Sequence, residues 1–152
     1  MILEINEELY MFTFAEQSYL DMNKNKVIYE PVTYIFDLDT FLVYPSETEE
    51  AKSVNRAIVF PSVTRAEAQK ASIKSLNNKK LDYIFKDLDD NDYWNTFWKY
   101  FDDGGEKLND FNSFEEYYRM QTIIDWCEEN NIPYWINKKD QFIKMVLENY
   151  KQ

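Results

Sequence analysis

The chain has 152 residues, 45% of them hydrophobic and 18% aromatic, which is the size and composition of one globular domain with its own core. Its formal net charge is −11, and it contains no histidine, one cysteine and two glycines. These counts exclude His-dependent catalytic units, His-containing or Cys₄ zinc sites, an internal disulfide and glycine-rich nucleotide-binding loops. We therefore expect a single acidic domain over residues 1–152, with residues 1–60 mainly in strands and residues 61–152 mainly in helices.

Charge and hydropathy also bear on the compartment and the partners. No apolar run approaches the ~20 residues that cross a bilayer, and the first residues lack the basic flank and apolar stretch of a signal peptide. A lone cysteine is typical of a reducing compartment. The negative charge disfavours direct contact with nucleic acid or an anionic membrane. We expect a cytoplasmic protein that binds neither, and the oligomeric state stays open.

The first part of the chain begins with an ambiguous segment and a clear hairpin. Asn6 can cap a short helix that carries Leu9 and Phe12, although a strand over the same residues fits nearly as well. Residues 18–29 predict a hairpin, because apolar runs flank a polar turn in which Asn25 can adopt positive φ.

Three further short runs predict strands. Residues 32–36, 41–44 and 57–60 are rich in β-branched and aromatic residues and are bounded by Pro, Asp or Ser. We expect them to belong to one small antiparallel sheet. The acidic stretch 46–53 between them lacks large apolar residues, and this predicts a surface loop.

After Pro61 the apolar residues follow a helical period. Thr64 and Glu67 have the spacing of a capping box, which predicts a helix that ends near Leu76. The pair Asn77-Asn78 then separates it from a second helix. The apolar stripe of that second helix consists of Leu81, Ile84, Phe85 and Leu88.

A third helix is predicted to begin at Asp92 and to end before Gly104-Gly105. Aromatic residues at helical spacing are more often core than a stacking platform. Here their number indicates that some stay half-buried, which suits an interface anchor. The aromatic face consists of Tyr93, Trp94, Phe97, Trp98 and Phe101.

Two more helices complete the prediction. Ser113 and Glu116 repeat the capping-box spacing, so a helix should begin there, and Pro133 marks its exit. Its buried stripe is predicted to contain Tyr117, Met120, Ile124 and Cys127. The last helix should begin at Asn137 and direct inward Phe142, Ile143, Val146, Leu147 and Tyr150. The fold class is therefore α+β, with a small antiparallel sheet from the N-terminal part packed against a helical C-terminal half.

Several of these segments, in this order, resemble a bacterial family known as uncharacterised protein family number 0158. Residues 19–27 (YLDMNKNKV) are similar to the family's hairpin, which has Tyr-Leu-Asp followed shortly by Thr-Gly-Glu-Val. Phe60-Pro61 leads into the capped helix as in the family. Residues 124–132 (IDWCEENNI) resemble its terminal helix of the type Ile-Glu-Trp-Leu-Glu-Glu-Asn-Gly-Ile.

The family's aromatic stretch matches residues 93–99, with one departure. It usually carries two arginines where this chain has Asn95 and Thr96. If those arginines bind an anion in other members, that role is therefore not expected in this chain. The resemblance implies no established activity, cofactor or catalytic residue.

Two acidic motifs are similar to known reactive or metal-binding sites. Asp37 and Asp39 follow a strand, as in the nucleophile motif of haloacid-dehalogenase phosphatases. However, Thr40 and Phe41 stand where that motif has Gly-Thr, so a strand that ends in an acidic turn fits better. Residues 87–92 place side-chain oxygen ligands at positions 1, 3 and 5 of a calcium loop. Asp92 stands where that loop requires glycine, and Trp98 where it requires glutamate. We predict no metal site, no cofactor and no catalytic residue.

Trp126 and Cys127 are predicted to lie in the core. Neighbouring carboxylates, among them Glu128, should raise the pKa of the thiol and make it a poor nucleophile. A structural role follows for both residues.

The densest acidic and aromatic segment is the candidate binding surface. We predict a non-enzymatic protein that engages a basic protein partner there. A nucleic-acid mimic that inhibits a nuclease or DNA-binding protein, of the immunity or phage-inhibitor type, is the alternative. A small metal-dependent hydrolase that uses carboxylates near Asp37 or Asp87 is the second. The candidate partner-binding residues are Asp87, Asp89, Asp90, Asp92, Trp94, Trp98, Asp102 and Asp103.

Overall fold

A computed structural model describes residues 1–101 and 105–150 of the chain. Within these residues the predicted α+β class is confirmed, with strands mostly in the first part and helices mostly in the second. The strands are β1 (Leu3–Ile5), β2 (Glu16–Asp21), β3 (Lys26–Pro31), β4 (Tyr34–Asp37), β5 (Val43–Pro45), β6 (Ala57–Val59) and β7 (Tyr134–Ile136). The helices are α1 (Glu7–Phe12), α2 (Glu49–Lys52), α3 (Arg65–Ser75), α4 (Lys79–Phe85), α5 (Asp90–Phe101), α6 (Glu106–Glu129) and α7 (Gln141–Asn149).

The strands of the described ranges form three small sheets. One of them confirms the predicted antiparallel sheet of residues 32–36, 41–44 and 57–60, which appear as β4, β5 and β6. Strand β4 lies between β5 and β6 and is antiparallel to both, while β2 and β3 pair only with each other. The third sheet pairs β1 with β7 in parallel, with Leu3 opposite Tyr134. Local patterns cannot reveal this last pairing, because it joins the two ends of the chain.

The predicted hairpin is confirmed in β2 and β3. The Asp21 carboxylate accepts hydrogen bonds from the backbone N–H groups of Asn23 (3.0 Å) and Lys24 (3.2 Å), which closes the turn. Asn25 adopts φ 49°, as expected for the residue that replaces glycine at such a turn. Tyr19 and Leu20 on β2 are exposed.

Two predicted helix starts are confirmed by their caps. The Asn6 side chain accepts a hydrogen bond from the Leu9 backbone N–H at 3.0 Å, which decides for a helix rather than a strand. The Thr64 hydroxyl accepts one from the Glu67 backbone N–H at 3.1 Å. The helix that Thr64 caps ends at Ser75, and Asn77 leaves it with φ 50°.

Two other helices are capped by an aspartate that is not the predicted capping residue. Asp89 rather than Asp92 caps α5, because its carboxylate accepts a hydrogen bond from the Asp92 backbone N–H at 2.8 Å. Asp140 rather than Asn137 caps α7, through the backbone N–H groups of Phe142 (2.9 Å) and Ile143 (3.1 Å). Several polar residues in a row offer alternative caps, and the packing of the helix selects among them.

Three further predictions are wrong for reasons of packing. Ser113 lies inside α6, which begins after Gly105 (φ 114°), so a capping-box spacing occurs within a continuing helix. The predicted loop 46–53 contains the short helix α2, which Thr48 caps. In the second predicted stripe, Leu81 and Phe85 are buried as predicted, but Ile84 is exposed.

Buried apolar residues form two clusters, which we call the first core and the second core. Helix α6 contributes to both. The first core contains Leu3, Ile5, Leu9, Tyr10, Phe36, Phe60, Met120, Ile123, Trp126, Cys127, Ile132, Ile143 and Val146. The second core contains Val63, Ala68, Ile73, Leu81, Phe85, Tyr93, Phe97, Phe101 and Phe111.

The predicted burial of Trp126 and Cys127 is confirmed in the first core. The Trp126 ring packs against Phe36 (4.9 Å between ring centroids) and Phe60 (5.1 Å), and its indole N–H donates to the Val59 carbonyl at 3.1 Å. Burial, aided by the Glu128 charge, raises the pKa of the Cys127 thiol to about 11. No helix in the described part of the chain is both long and apolar enough to cross a membrane.

Candidate binding surface and adjoining cavities

The predicted acidic surface lies at the junction of α4 and α5. Asp87 adopts φ 57° between the two helices, Asp89 caps α5, and Asp90 and Asp92 lie in its first turn. All four side chains are exposed. We call these four residues the acidic patch. The other two predicted carboxylates, Asp102 and Asp103, lie outside the described residues.

One basic side chain reaches the acidic patch from α3. The Lys70 ammonium is 3.1 Å from an Asp90 carboxylate oxygen and 5.6 Å from the centre of the Tyr93 ring. Burial, together with the Asp82 charge from α4, raises the pKa of Tyr93 to about 12. The negative charge of Asp82 therefore reaches Tyr93, in the first turn of the helix that carries the acidic patch.

The two tryptophans of the predicted surface are both half-buried. Their rings meet edge to face at 5.4 Å, and the Arg65 guanidinium is 5.8 Å from the Trp94 ring. The Trp98 indole nitrogen is buried and has no hydrogen-bond partner among the described residues. Trp94 lies one helical turn beyond Asp90, so the structure brings it close to the acidic patch. Trp98 lies a turn further along α5.

Both tryptophans line a cavity of about 150 Å³ between α3, α5 and α6. Its walls are mostly aromatic, and polar groups approach from α3 and α6. The lining residues are Phe14, Arg65, Gln69, Trp94, Trp98, Phe111, Asn112 and Glu115. We call this space the aromatic cavity.

Sequence reasoning missed Arg119, which is completely buried in α6. Its Nη1 donates to the carbonyl oxygens of Thr13 (3.1 Å) and Val63 (2.8 Å), and its Nη2 lies 3.3 Å from a Glu115 carboxylate oxygen. The guanidinium stacks 3.9 Å above the centre of the Phe14 ring. Glu and Arg four residues apart on a helix are typical of a surface pair, so the local sequence gives no sign of this burial.

The electrostatics of Arg119 are those of a buried cation with incomplete pairing. Burial lowers the pKa of Arg119, and the Glu115 carboxylate opposes that shift. An arginine keeps its charge under such conditions. Its Nε is buried and, within the described ranges, has no hydrogen-bond acceptor.

Arg119 lines a second cavity, of about 80 Å³, at the start of α3. We call it the arginine cavity. Phe14 and Arg65 line this cavity as well as the aromatic one. Its lining residues are Phe14, Ala15, Glu16, Ser18, Val63, Thr64, Arg65 and Arg119.

The other acidic motif forms a turn and an ion pair. The Asp37 carboxylate accepts a hydrogen bond from the Asp39 backbone N–H at 2.8 Å, and Asp39 lies 3.0 Å from the Arg56 guanidinium. In the described part of the chain, no group of three Asp, Glu or Cys side chains is arranged to hold a metal ion.

No model of a protein family, no curated protein and no solved structure matches this chain. The resemblance to uncharacterised protein family number 0158 therefore stays a prediction. What the chain binds has to be inferred from the acidic patch and the two cavities.

Proposed function

We propose that this protein is a non-enzymatic binding protein whose acidic patch engages a basic protein partner. The observation that carries the proposal is the exposure of four carboxylates within six residues, around the start of one helix. The net charge of −11 extends the attraction beyond the patch. A cytoplasmic setting is part of the proposal, and the free, buried thiol of Cys127 supports it.

Charge and apolar contact have different consequences in such an interface. Clustered carboxylates raise the association rate with a basic partner, and dissolved salt reduces that gain by screening. A half-buried aromatic residue controls dissociation, because it becomes fully desolvated on binding. We assign the first role to the acidic patch and the second to Trp94. Lys70 limits the gain in association rate, because its ammonium pairs with the Asp90 carboxylate.

The test replaces Asp89, Asp90 and Asp92 together with Asn. Asparagine caps a helix about as well as aspartate, so the Asp89 hydrogen bond to the start of α5 is retained. The matched control replaces Glu47, Glu49 and Glu50 with Gln, which removes the same number of exposed charges at another site.

Both variants and the wild type are used to capture a partner from host extract, and association rates are then measured with the purified partner. We expect the aspartate variant to associate roughly tenfold more slowly at low salt, with the difference lost at high salt. The glutamate variant should associate at nearly the wild-type rate. Equal rates for both variants would place the working surface elsewhere.

The same experiment addresses nucleic-acid mimicry. If the captured partner binds DNA or RNA, competition between that nucleic acid and the acidic patch for the same site on the partner identifies the protein as a mimic. The hydrolase alternative receives no support from Asp37 and Asp39, because these carboxylates serve a turn and a surface ion pair.

A further inference from the structure

The unpaired Nε–H of Arg119 is the starting point for a second site. A buried guanidinium is costly unless its donors are hydrogen-bonded, and buried donors without an acceptor are rare in folded proteins. Two carbonyls and Glu115 satisfy the Nη groups, whereas the Nε–H has no acceptor among the described residues. Arg119 is one of the residues that line the arginine cavity.

The start of α3, where Thr64 and Arg65 line the same cavity, has further donors. The Thr64 side chain satisfies the Glu67 backbone N–H, and the Thr64 carbonyl satisfies that of Ala68. The backbone N–H groups of Arg65 and Ala66 precede these, and helix geometry gives them no acceptor within the helix. Such amides, at the positive end of the helix dipole, favour an anion.

We propose that the arginine cavity binds one small oxyanion, a phosphate or a carboxylate group. Two arginines, Arg65 and Arg119, line it, and Glu16 is the one acidic residue among its lining residues. Its volume of about 80 Å³ holds one such group and not a nucleotide. This site is independent of the acidic patch, so either proposal can fail without the other.

The oxyanion has two possible sources, because the aromatic cavity lies on the other side of Arg65 and Phe14. A cavity of about 150 Å³ has room for a benzene-sized ring, and four of its lining residues, Phe14, Trp94, Trp98 and Phe111, are aromatic. The indole N–H of Trp98 has no partner among the described residues. The anion is therefore either free in solution or carried by a small aromatic molecule.

The test follows side-chain and backbone N–H signals of the full-length, ¹⁵N-labelled protein by NMR. Inorganic phosphate, acetate and phenyl phosphate are added in separate titrations. We expect saturable shifts of the Arg119 Nε–H and of the Arg65 and Ala66 amides with at least one of them. If only phenyl phosphate also shifts the Trp98 indole N–H and binds more tightly, the anion is carried by a ring. Equal binding without a Trp98 shift identifies a free anion.

Variants of exposed residues separate this site from general attraction of anions. Arg65→Gln should weaken binding roughly tenfold, because it removes one charge-assisted hydrogen bond. Glu16→Gln should tighten binding, because it removes the opposing carboxylate. Arg56→Gln is the control, since Arg56 is an exposed arginine paired with Asp39 at another site.

Two results would overturn the proposal. One is the absence of any saturable shift at the Arg119 Nε–H with all three anions. The other is an equal loss of affinity in Arg65→Gln and Arg56→Gln, which would show that only the overall charge matters.

Discussion

The two cores of this protein differ in the hydrogen bonding of a tryptophan indole N–H. In the first core, the indole N–H of Trp126 donates to the Val59 carbonyl and the ring packs between Phe36 and Phe60. In Trp98, which packs against the second core, the indole N–H is buried and has no partner among the described residues, and the ring lines a cavity. Because an unsatisfied buried donor costs free energy, such a site is where a ligand gains the most by binding.

Arg119 lies where the two cores meet. It holds the carbonyl of Thr13, which follows α1 of the first core, and that of Val63, which belongs to the second. The backbone N–H of Val63 also donates to the Thr13 carbonyl at 2.7 Å. Arg119 thus links segments of the two cores.

The largest expected effect tests the packing of the first core. Trp126→Ala should lower the free energy of unfolding by about 3–5 kcal/mol, because it removes a packed ring and leaves a cavity. Trp135→Ala is the matched control, since this ring on β7 is 47% exposed, and its effect should stay below about 1 kcal/mol. Chemical denaturation measures both. Similar losses in the two variants would mean that Trp126 is not a core residue.

An intermediate effect concerns the response of the first core to alkali. The pKa of Cys127 is raised from an ordinary 9.0 to about 11, so over this pH range the thiol ionises in the unfolded chain and stays neutral in the folded one. Unfolding then releases a proton, and the free energy of unfolding falls as pH rises, by roughly 2–3 kcal/mol in total. Below pH 9.0 this contribution is fully present.

Cys127→Ala isolates that contribution, because the raised pKa values of Tyr10 and Tyr93 act in both proteins. Denaturation curves over the alkaline range should show a shallower loss of stability in the variant. Parallel curves for the variant and the wild type would contradict the raised pKa.

The smallest effect sharpens the contrast between the two tryptophans. Trp98→Phe should change the free energy of unfolding by less than about 1 kcal/mol, because the lost apolar contact is offset by removal of an unsatisfied donor. Trp126→Phe should cost about 1–3 kcal/mol, because it leaves the Val59 carbonyl without its donor. Equal costs for the two substitutions would show that the cores do not differ in this respect.

Local chemistry allowed much of the fold to be predicted. The caps at Asn6 and Thr64 and the hairpin turn at Asn25 depend on residues close in sequence, and the burial of Trp126 was predictable from the apolar stripe of its helix. The candidate surface was predictable only in part. Exposed carboxylates at the start of α5 follow from composition, whereas the half-burial of Trp94 depends on α3 packing against α5.

The sequence by itself determined the acidic surface, the α+β class and most helix positions, because these follow from charge, short-range periodicity and capping. Only the tertiary structure decided the parallel pairing of β1 with β7 and the burial of Arg119. The carbonyls that hold Arg119 come from Thr13 and Val63, which are far from it in the chain. An isolated helix would leave this arginine in water, and it becomes a buried, partly paired cation only where three distant segments meet.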